Sequence, residues 1–434
     1  MKRTSFRFDR SLINHKGDSV RYLEVGMEAP TPGTDSKPDR APLDLALVID
    51  RSGSMSGAPL AAAREAARGV AAGLRPADTL SVVVFDNRVD VLFEGLPMNR
   101  RGKDRADSIL ARIDSGGMTC LSGGWLRGAE AVAHLQVGEG GRRSQVILLS
   151  DGHANKGILD PRELAHHASE LRERGVYTTC VGIGDGYSPE QLAVLSEHGG
   201  GVLHRAEHPH EIIEVLLGEL GELMNTYAED IKVEVNMPGD VIAGCIGDFP
   251  SNETSRGVSY HLGTLVEGRE RHMILRLKCP RGEPGKALKF KGRITFKRPG
   301  SNEREEIELK ATRLEFADSG VSLRKQKRDK KLSLRVAGAW QAEVVRNAAG
   351  MNRDGAFREA AEMVRTELAF FSRYCRGIDG TSSLIRELEM LEDRVRYDIS
   401  ERGRKEMHNY SEVMLYSKAE HRENFSEELC DFME

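Results

Sequence analysis

The chain has 434 residues, enough for two or three domains that each bury a core of their own. Charged residues make up 30% of the sequence and apolar residues 39%, which is ordinary for a globular protein in water. The formal net charge of −4 excludes a general electrostatic attraction to nucleic acid or anionic membranes, and no apolar run approaches the length of a membrane span.

The first part of the chain, residues 1–41, holds one strand-like run at residues 20–29 and then a linker rich in proline and polar residues. A single strand cannot bury its faces, so we expect it to pair with strands that come later. The first residues are too polar for a signal peptide, and the six cysteines lack any Cys-x-x-Cys pair. These features favour reduced thiols and a cytoplasmic location.

Residues 42–227 alternate predicted strands with predicted helices, the pattern of an α/β domain whose sheet lies between two helical layers. Only two residues separate the second strand from the third, so we expect the third to be an antiparallel edge strand. The predicted strands are residues 43–50, 79–86, 89–95, 145–151, 176–184 and 202–207. The predicted helices are residues 58–74, 103–113, 121–135, 161–174, 189–197 and 211–227.

Residues 228–320 contain strand-like runs without helices between them, divided by turns rich in glycine, proline and asparagine. The partial alternation of apolar and polar residues in these runs predicts an antiparallel β-sandwich. We expect the strand at residues 20–29 to pair into this sandwich, which would make the α/β domain an insertion. The runs are residues 231–237, 258–265, 271–279, 287–297 and 305–316.

The last part of the chain, residues 321–434, predicts a helical bundle that includes a helix around Trp340. A basic run at residues 323–332 lacks interleaved aromatic residues, so we expect a linker or a first helical turn there. Any exposed surface for a partner is expected around Trp340, Phe370 and Phe371. Two apolar stripes mark further helices, and they are Phe357, Ala361, Val364, Leu368, Phe371 and Cys375, then Leu384, Leu388, Leu391 and Val395.

Oxygen-bearing side chains cluster where strands of the α/β domain end. Asp50, Ser52 and Ser54 follow the first strand, in LDLALVIDRSGSMSG. Thr119 lies in the glycine-rich loop SGGMTCLSGG before a helix, and Asp151 ends the strand QVILLSD. Because the carboxyl ends of parallel strands meet in one crevice, we expect these side chains to converge there.

Carboxylate and hydroxyl oxygens are the ligands of hard divalent cations, Mg²⁺ first and Mn²⁺ or Ca²⁺ after it. The plainer interpretation of Asp50, Ser52 and Ser54 is a strand-to-helix turn with an N-capping serine. Taken alone, these three residues leave both interpretations open. The addition of Thr119 and Asp151 favours the metal site.

In these motifs the sequence resembles the von Willebrand factor A domain family, and the resemblance is nearest to bacterial stand-alone members. That family carries Asp-x-Ser-x-Ser, a distant threonine and an Asp-Gly after the fourth strand, which together form its metal-ion-dependent adhesion site. The resemblance covers residues 42–227 and implies the sheet order 3-2-1-4-5-6. The matching residues, and so the metal ligands that the resemblance implies, are Asp50, Ser52, Ser54, Thr119 and Asp151.

The resemblance also implies a function, because such a site takes an Asp or Glu of another protein as a further ligand. We therefore predict an adaptor or scaffold without enzymatic activity, associated with a MoxR-type ATPase or with a conflict or stress-response system. One alternative is a metal-dependent hydrolase of the phosphatase type. Against it, Ser52 stands where haloacid-dehalogenase-type phosphatases need a second carboxylate. The other alternative is a scaffold whose metal is capped in cis by an acidic residue, for example from residues 420–434.

Other polar features favour plain structural interpretations. The run GIGDGY at residues 182–187 lacks the third glycine of a phosphate-binding motif, and His153 is expected to face solvent. The histidines of residues 204–210 are expected to lie in a surface loop rather than in a transition-metal site. Asp86 and Asp185 end strands and could border the crevice, but we do not assign them as ligands.

Overall fold

The computed structural model describes residues 1–31, 41–136, 141–151, 156–184, 189–206, 208–247, 249–254, 257–301 and 303–415. Its first strands are β1 (Arg3–Phe8), β2 (Leu12–Asn14) and β3 (Ser19–Glu28). β3 is the strand predicted at residues 20–29, whereas β1 escapes prediction because it carries several polar residues and β2 because it has only three residues. Among the described helices, none has both the length and the apolar character needed to cross a membrane.

An α/β unit follows, with its strands at β4 (Leu43–Asp50), β5 (Thr79–Phe85), β6 (Val89–Pro97), β7 (Arg143–Ser150), β8 (Val176–Ile183) and β9 (Gly200–Ala206). Its helices are α1 (Ala58–Gly73), α2 (Arg100–Leu110), α3 (Leu121–Ala133), α4 (Pro161–Glu173), α5 (Pro189–His198) and α6 (Pro209–Met224). The sheet order is β6-β5-β4-β7-β8-β9, and only the pair β5–β6 is antiparallel. The predicted fold class, strand order and antiparallel edge strand are confirmed.

The central strand β4 is buried along its whole length, as its nearly continuous apolar sequence predicts. Leu45, Leu47 and Ile49 belong to the core under α1 and α6. Ala46 and Val48 belong to a separate core under α3. This alternation places a helical layer on each face of the sheet, so that only the strand ends remain for a site.

The sandwich strands are β10 (Thr226–Asn236), β11 (Ile242–Ile246), β12 (Ser251–Thr254), β13 (Gly257–Val266), β14 (Glu270–Cys279), β15 (Ala287–Lys297) and β16 (Arg304–Ala317). With β1–β3 they form two sheets, in the orders β1-β3-β14-β11 and β12-β13-β10-β15-β16-β2. Apolar side chains of both sheets share one buried cluster. β3 lies antiparallel between β1 and β14. The α/β unit is therefore inserted into a discontinuous sandwich, as expected.

The C-terminal helices are α7 (Gly320–Lys325), α8 (Lys330–Arg353), α9 (Phe357–Cys375), α10 (Ser382–Arg394) and α11 (Glu401–Leu415). Trp340 and Phe371 are 5% and 0% exposed, and their rings meet edge-on at 5.5 Å. The expectation that these two residues offer a surface to a partner is therefore wrong, because they form the core. Phe370, by contrast, is 55% exposed.

The helices pack on the outer face of the sheet β1-β3-β14-β11. Tyr22 of β3 and Ile274 of β14 belong to the same buried cluster as Val336 and Trp340 of α8. The guanidinium of Arg276 lies 4.7 Å from the centroid of the Trp340 ring, within the range of a cation–π contact. The bundle thus covers the apolar side chains of a sheet face that would otherwise be in water.

A buried carboxylate on β3 fastens the bundle to this sheet. Glu24 is fully buried, accepts a 2.9 Å hydrogen bond from Nε of Arg7 and contacts the guanidinium of Arg335 on α8. Nδ1 of His272 on β14 lies 3.2 Å from the same carboxylate. Burial alone would raise the pKa of Glu24, but the close contact with His272, the charge of Arg335 and the hydrogen bond from Arg7 lower it to about 2.

Glu24→Gln should lower the free energy of unfolding by about 3 kcal/mol at neutral pH, because the largely buried Arg335 loses its nearest counter-charge and keeps only the exposed Glu270, 3.8 Å away. The folded-state pKa of about 2 lies below the ordinary value of 4.5, so the carboxylate stabilises the fold above pH 4.5. This contribution is lost as the pH falls towards 2, and the difference between the two proteins in urea unfolding should shrink in that range.

The control for this prediction is Glu283→Gln, which alters an exposed pair with Lys286. Exposed ion pairs contribute little, so the control should unfold like the wild type at every pH. An equal loss of stability in both variants would contradict the role of Glu24.

Candidate metal site

The first strand of the α/β unit ends at a carboxylate, and a tight turn follows it. Asp50 is fully buried, and its Oδ1 accepts a 2.8 Å hydrogen bond from the backbone N–H of Ser52. The hydroxyl oxygens of Ser52 and Ser54 lie 3.1 Å apart. Gly57, at φ 85°, gives the backbone the left-handed conformation from which α1 begins at Ala58. The turn therefore gathers one carboxylate and two hydroxyls at the carboxyl end of β4.

A second strand end acts on the same carboxylate. Oδ2 of Asp50 accepts a 2.6 Å hydrogen bond from the hydroxyl of Ser150, the last residue of β7. Asp151 follows directly and is 8% exposed. Burial raises the pKa of Asp50 to about 6, the hydrogen bonds from Ser150 and Ser52 oppose this rise, and the negative charge of Asp151 adds to it. Two acidic residues thus stand at the ends of the adjacent strands β4 and β7.

The loop that carries Thr119 is hydrogen-bonded to the turn after β4. The N–H of Gly53 donates to the carbonyl of Gly117 at 3.0 Å, and the N–H of Gly116 donates to the carbonyl of Arg51 at 2.6 Å. Thr119 itself is 4% exposed, and α3 begins two residues after it. This pairing brings the threonine loop to the same edge of the sheet as the two serines.

The structure therefore joins Asp50, Ser52 and Ser54 directly and places Asp151 near enough to act on Asp50. Thr119 reaches the same edge on a loop bonded to their turn. The predicted residues 152 and 153 lie outside the described residues. Sequence reasoning misses the role of Ser150. The only hint in the sequence is that this serine directly precedes Asp151 at the end of a strand.

The donor set fits a hard divalent cation. Two carboxylates provide negative charge, and hydroxyls provide neutral oxygen. The raised pKa of Asp50 means that its charged form is costly in this buried place without added positive charge. In the described part of the chain no three His, Cys, Asp or Glu side chains form a group that could hold a metal ion. A cation at this edge would therefore need hydroxyl oxygens in addition to the two carboxylates.

The histidine-rich run at residues 204–210 differs in part from the expected surface loop. His204 belongs to β9, and its Nε2 lies 2.7 Å from a carboxylate oxygen of Glu219 on α6. The strand is covered by α6 at this point, so this histidine is mostly buried. His208 and His210 stack on each other at the start of α6. The loop at residues 185–188, with Asp185, lies outside the described residues.

Helix α3, which starts beside the threonine loop, lies very close to the sheet because glycines face the strands. A Cβ on Gly128 would be 2.3 Å from Cγ2 of Val48 on β4. A Cβ on Gly124 would be 2.5 Å from the ring of Phe85 on β5. This close seating sets the height of Thr119 above the sheet edge.

Comparison with known proteins supports the α/β unit as a known domain. Residues 44–214 match the von Willebrand factor type A domain. An uncharacterized protein of Synechocystis sp. is 27% identical over 306 residues, which are 68% of this chain and 70% of that protein. The inter-alpha-trypsin inhibitor heavy chain H1 of Mesocricetus auratus is 27% identical over 195 residues, which are 44% of this chain and 21% of that protein.

Two solved structures share the fold over nearly the whole chain. A von Willebrand factor type A protein from Catenulispora acidiphila has a TM-score of 0.66 at 15% identity, covering 90% of this chain and 89% of its own. The ArnB paralog VWA2 from Sulfolobus acidocaldarius has a TM-score of 0.55 at 15% identity, covering 95% of this chain and 97% of its own. At such identities the likeness concerns the fold.

The seating of α3 can be tested by adding one methyl group. Gly128→Ala should lower the free energy of unfolding by about 2 kcal/mol, because the new methyl group overlaps Val48 and forces the helix off the sheet. Gly218→Ala on α6 is the matched control, since a Cβ there meets nothing within 4 Å. The control should gain about 0.5 kcal/mol from helix propensity. Equal urea stability of the two variants would refute the tight seating.

Proposed function

Residues 44–214 are a von Willebrand factor type A domain, and we propose that its role in this chain is to bind another protein. Domains of this family mediate protein–protein interactions and commonly bind divalent cations at their adhesion site. The chain acts as an adaptor or scaffold, not as an enzyme, and a metal ion captures an Asp or Glu side chain of the partner. The supporting observation is the fully buried Asp50 carboxylate, which accepts hydrogen bonds from Ser52 and Ser150 beside the paired hydroxyls of Ser52 and Ser54.

The residues that would hold Mg²⁺, or else Mn²⁺ or Ca²⁺, are Asp50, Ser52, Ser54, Thr119 and Asp151. A bound divalent cation supplies positive charge that attracts an anionic oxygen of the partner. The hydroxyls of Ser52 and Ser54 offer oxygen without adding negative charge, and Ser150 holds the Asp50 carboxylate in one orientation. Such neutral donors leave the site selective for an acidic side chain over a neutral one.

A hydrolase is less well supported by the described residues. The position two residues after Asp50 is occupied by Ser52, whose hydroxyl contacts Ser54. A phosphatase of the haloacid-dehalogenase type needs a carboxylate there. The second alternative, in which an acidic residue of this chain caps the metal, is decided by the capture experiment below.

The setting of the proposed interaction is the cytoplasm. Five described cysteines are free thiols, as a reducing compartment would keep them: Cys120, Cys180, Cys245, Cys279 and Cys375. The net charge of −4 gives no reason to propose nucleic acid or an anionic membrane as the partner. A MoxR-type ATPase or a conflict or stress-response complex is the partner class that the family resemblance suggests.

Metal binding is the first test. Mg²⁺ should raise the thermal unfolding midpoint of the wild-type chain and leave that of Asp50→Ala unchanged, since an ion at a hundredfold its dissociation constant stabilises the folded state by about 2.7 kcal/mol. Isothermal titration calorimetry gives the dissociation constant. Asp107→Asn, which alters an exposed pair with Arg68 on the helical layer, should respond like the wild type. A folded wild type that binds none of Mg²⁺, Mn²⁺ and Ca²⁺ would overturn the metal site.

Partner capture is the second test. The immobilised chain is incubated with host lysate in Mg²⁺, in EDTA, or after carbodiimide and glycinamide have converted lysate carboxylates to neutral amides. Captured proteins should disappear in EDTA, after amidation and with Asp50→Ala, but remain with Asp107→Asn. Undiminished capture in EDTA would contradict the adhesive role. Mg²⁺ binding without any capture would support the alternative in which the metal is capped in cis.

A further inference from the structure

We infer that Asp86 is a positioning residue for the proposed metal site, because it holds the threonine loop against the serine turn. The inference rests on the proposed function and concerns how the ligands of that site are kept in place. Asp86 follows β5 directly and is 5% exposed. In the sequence it is only a carboxylate at a strand end that could border the crevice.

The hydrogen bonds of Asp86 join its own turn to two neighbouring segments. Its Oδ1 accepts a 2.7 Å hydrogen bond from the N–H of Arg88, which closes its own turn. Its Oδ2 accepts from Nε of Arg51 at 3.2 Å and from the N–H of Gly117 at 3.4 Å. Its backbone carbonyl accepts from the N–H of Cys120 at 2.9 Å. One residue therefore ties the turn after β4 to the loop on both sides of the threonine.

The close approach of the loop to this carboxylate requires glycine. A Cβ on Gly116 would lie 1.8 Å from Oδ2 of Asp86. The N–H of Gly116 also donates to the carbonyl of Arg51, whose side chain is held between Asp86 and Asp90. Arg51, the residue between Asp50 and Ser52, is thus held in place by contacts of both its backbone and its side chain.

Asp86 acts through other residues and is not itself a ligand. Both of its oxygens already accept hydrogen bonds from Arg88, Arg51 and Gly117. The proposed ligands lie on separate segments that follow strand ends, so contacts between these segments, in addition to the strand register, set their spacing. Removing a group that orients metal ligands typically weakens metal binding by about 10- to 100-fold.

Asp86→Asn should raise the Mg²⁺ dissociation constant about tenfold or more in calorimetry, because the single acceptor oxygen of the amide can serve either the N–H of Arg88 or the donors of Arg51 and Gly117, but not both. The metal-free unfolding midpoint should fall only slightly, because Arg51 keeps Asp90 as a counter-charge. At saturating metal, the electron paramagnetic resonance spectrum of bound Mn²⁺ should differ from the wild-type spectrum. The matched control, Asp107→Asn on an exposed Asp–Arg pair, should leave all three measurements unchanged.

Gly116→Ala tests the same contact while keeping every polar group. Its methyl group pushes the loop off the carboxylate, so the dissociation constant should rise by a similar factor. In an Asp86→Ala background the clash is relieved, and Gly116→Ala should then add no more than about twofold. Such non-additivity is expected for residues that are in contact or share one hydrogen-bond network, and not for distant, independent residues.

The outcomes separate this inference from the proposed function. A wild type that binds Mg²⁺, with Asp86→Asn and Gly116→Ala variants that bind it equally well, would overturn the positioning role and leave the metal site intact. A folded wild type that binds no divalent cation would overturn the proposed function itself.

Discussion

The parallel pairing of β4 with β5 and β7 is the constraint on which the rest of the site depends. The register sets Asp50 opposite Phe85 and Ile49 opposite Leu149, so three strands end side by side. The residues that follow them, with polar side chains, then share one edge of the sheet. If β4 slipped by one residue, the side chain of Asp50 and those of its neighbours in β4 would each move to the opposite face of the sheet. The two faces of β4 differ in size, with Leu45, Leu47 and Ile49 in one core and Ala46 and Val48 in the other, so a slip would exchange large and small side chains between two packed cores.

Buried charges hold the three parts of the molecule to one another. Where α6 passes into β10, Nη1 of Arg143 donates to the carbonyl of Leu223 at 2.9 Å and to the hydroxyl of Thr226 at 2.7 Å. Its Nε lies 3.2 Å from a carboxylate oxygen of Glu229, whose pKa burial raises. Glu24 plays the corresponding part between the sandwich and the bundle. Removing one member of such a pair leaves an uncompensated buried charge, so each pair favours a single arrangement of the two parts it joins.

Local patterns in the sequence predicted most regular elements because burial imposes a period on them. The apolar stripes of α9 and α10 are examples, since each faces the core of the bundle, whereas β4 is recognised by its continuous apolar run. The same reasoning fails where a segment takes its secondary structure from pairing with a neighbouring strand. Helix α6, predicted to reach residue 227, ends at Met224 because Thr226 pairs with Val266 of β13. Strands β2 and β12 are short, lie at sheet edges and carry polar residues, so they are strands only through their neighbours.

The sequence by itself determined the α/β order, the inserted sandwich and the five oxygen-bearing residues proposed as ligands, because apolar periodicity and ligand chemistry are written in residue types. Only the tertiary structure decided that Ser150 bonds to Asp50, that Asp86 joins two loops, and that the helical bundle is docked through Glu24. These contacts link residues far apart in the chain. Their distances depend on strand register and on the packing of helices against sheets, which no local pattern of residues encodes.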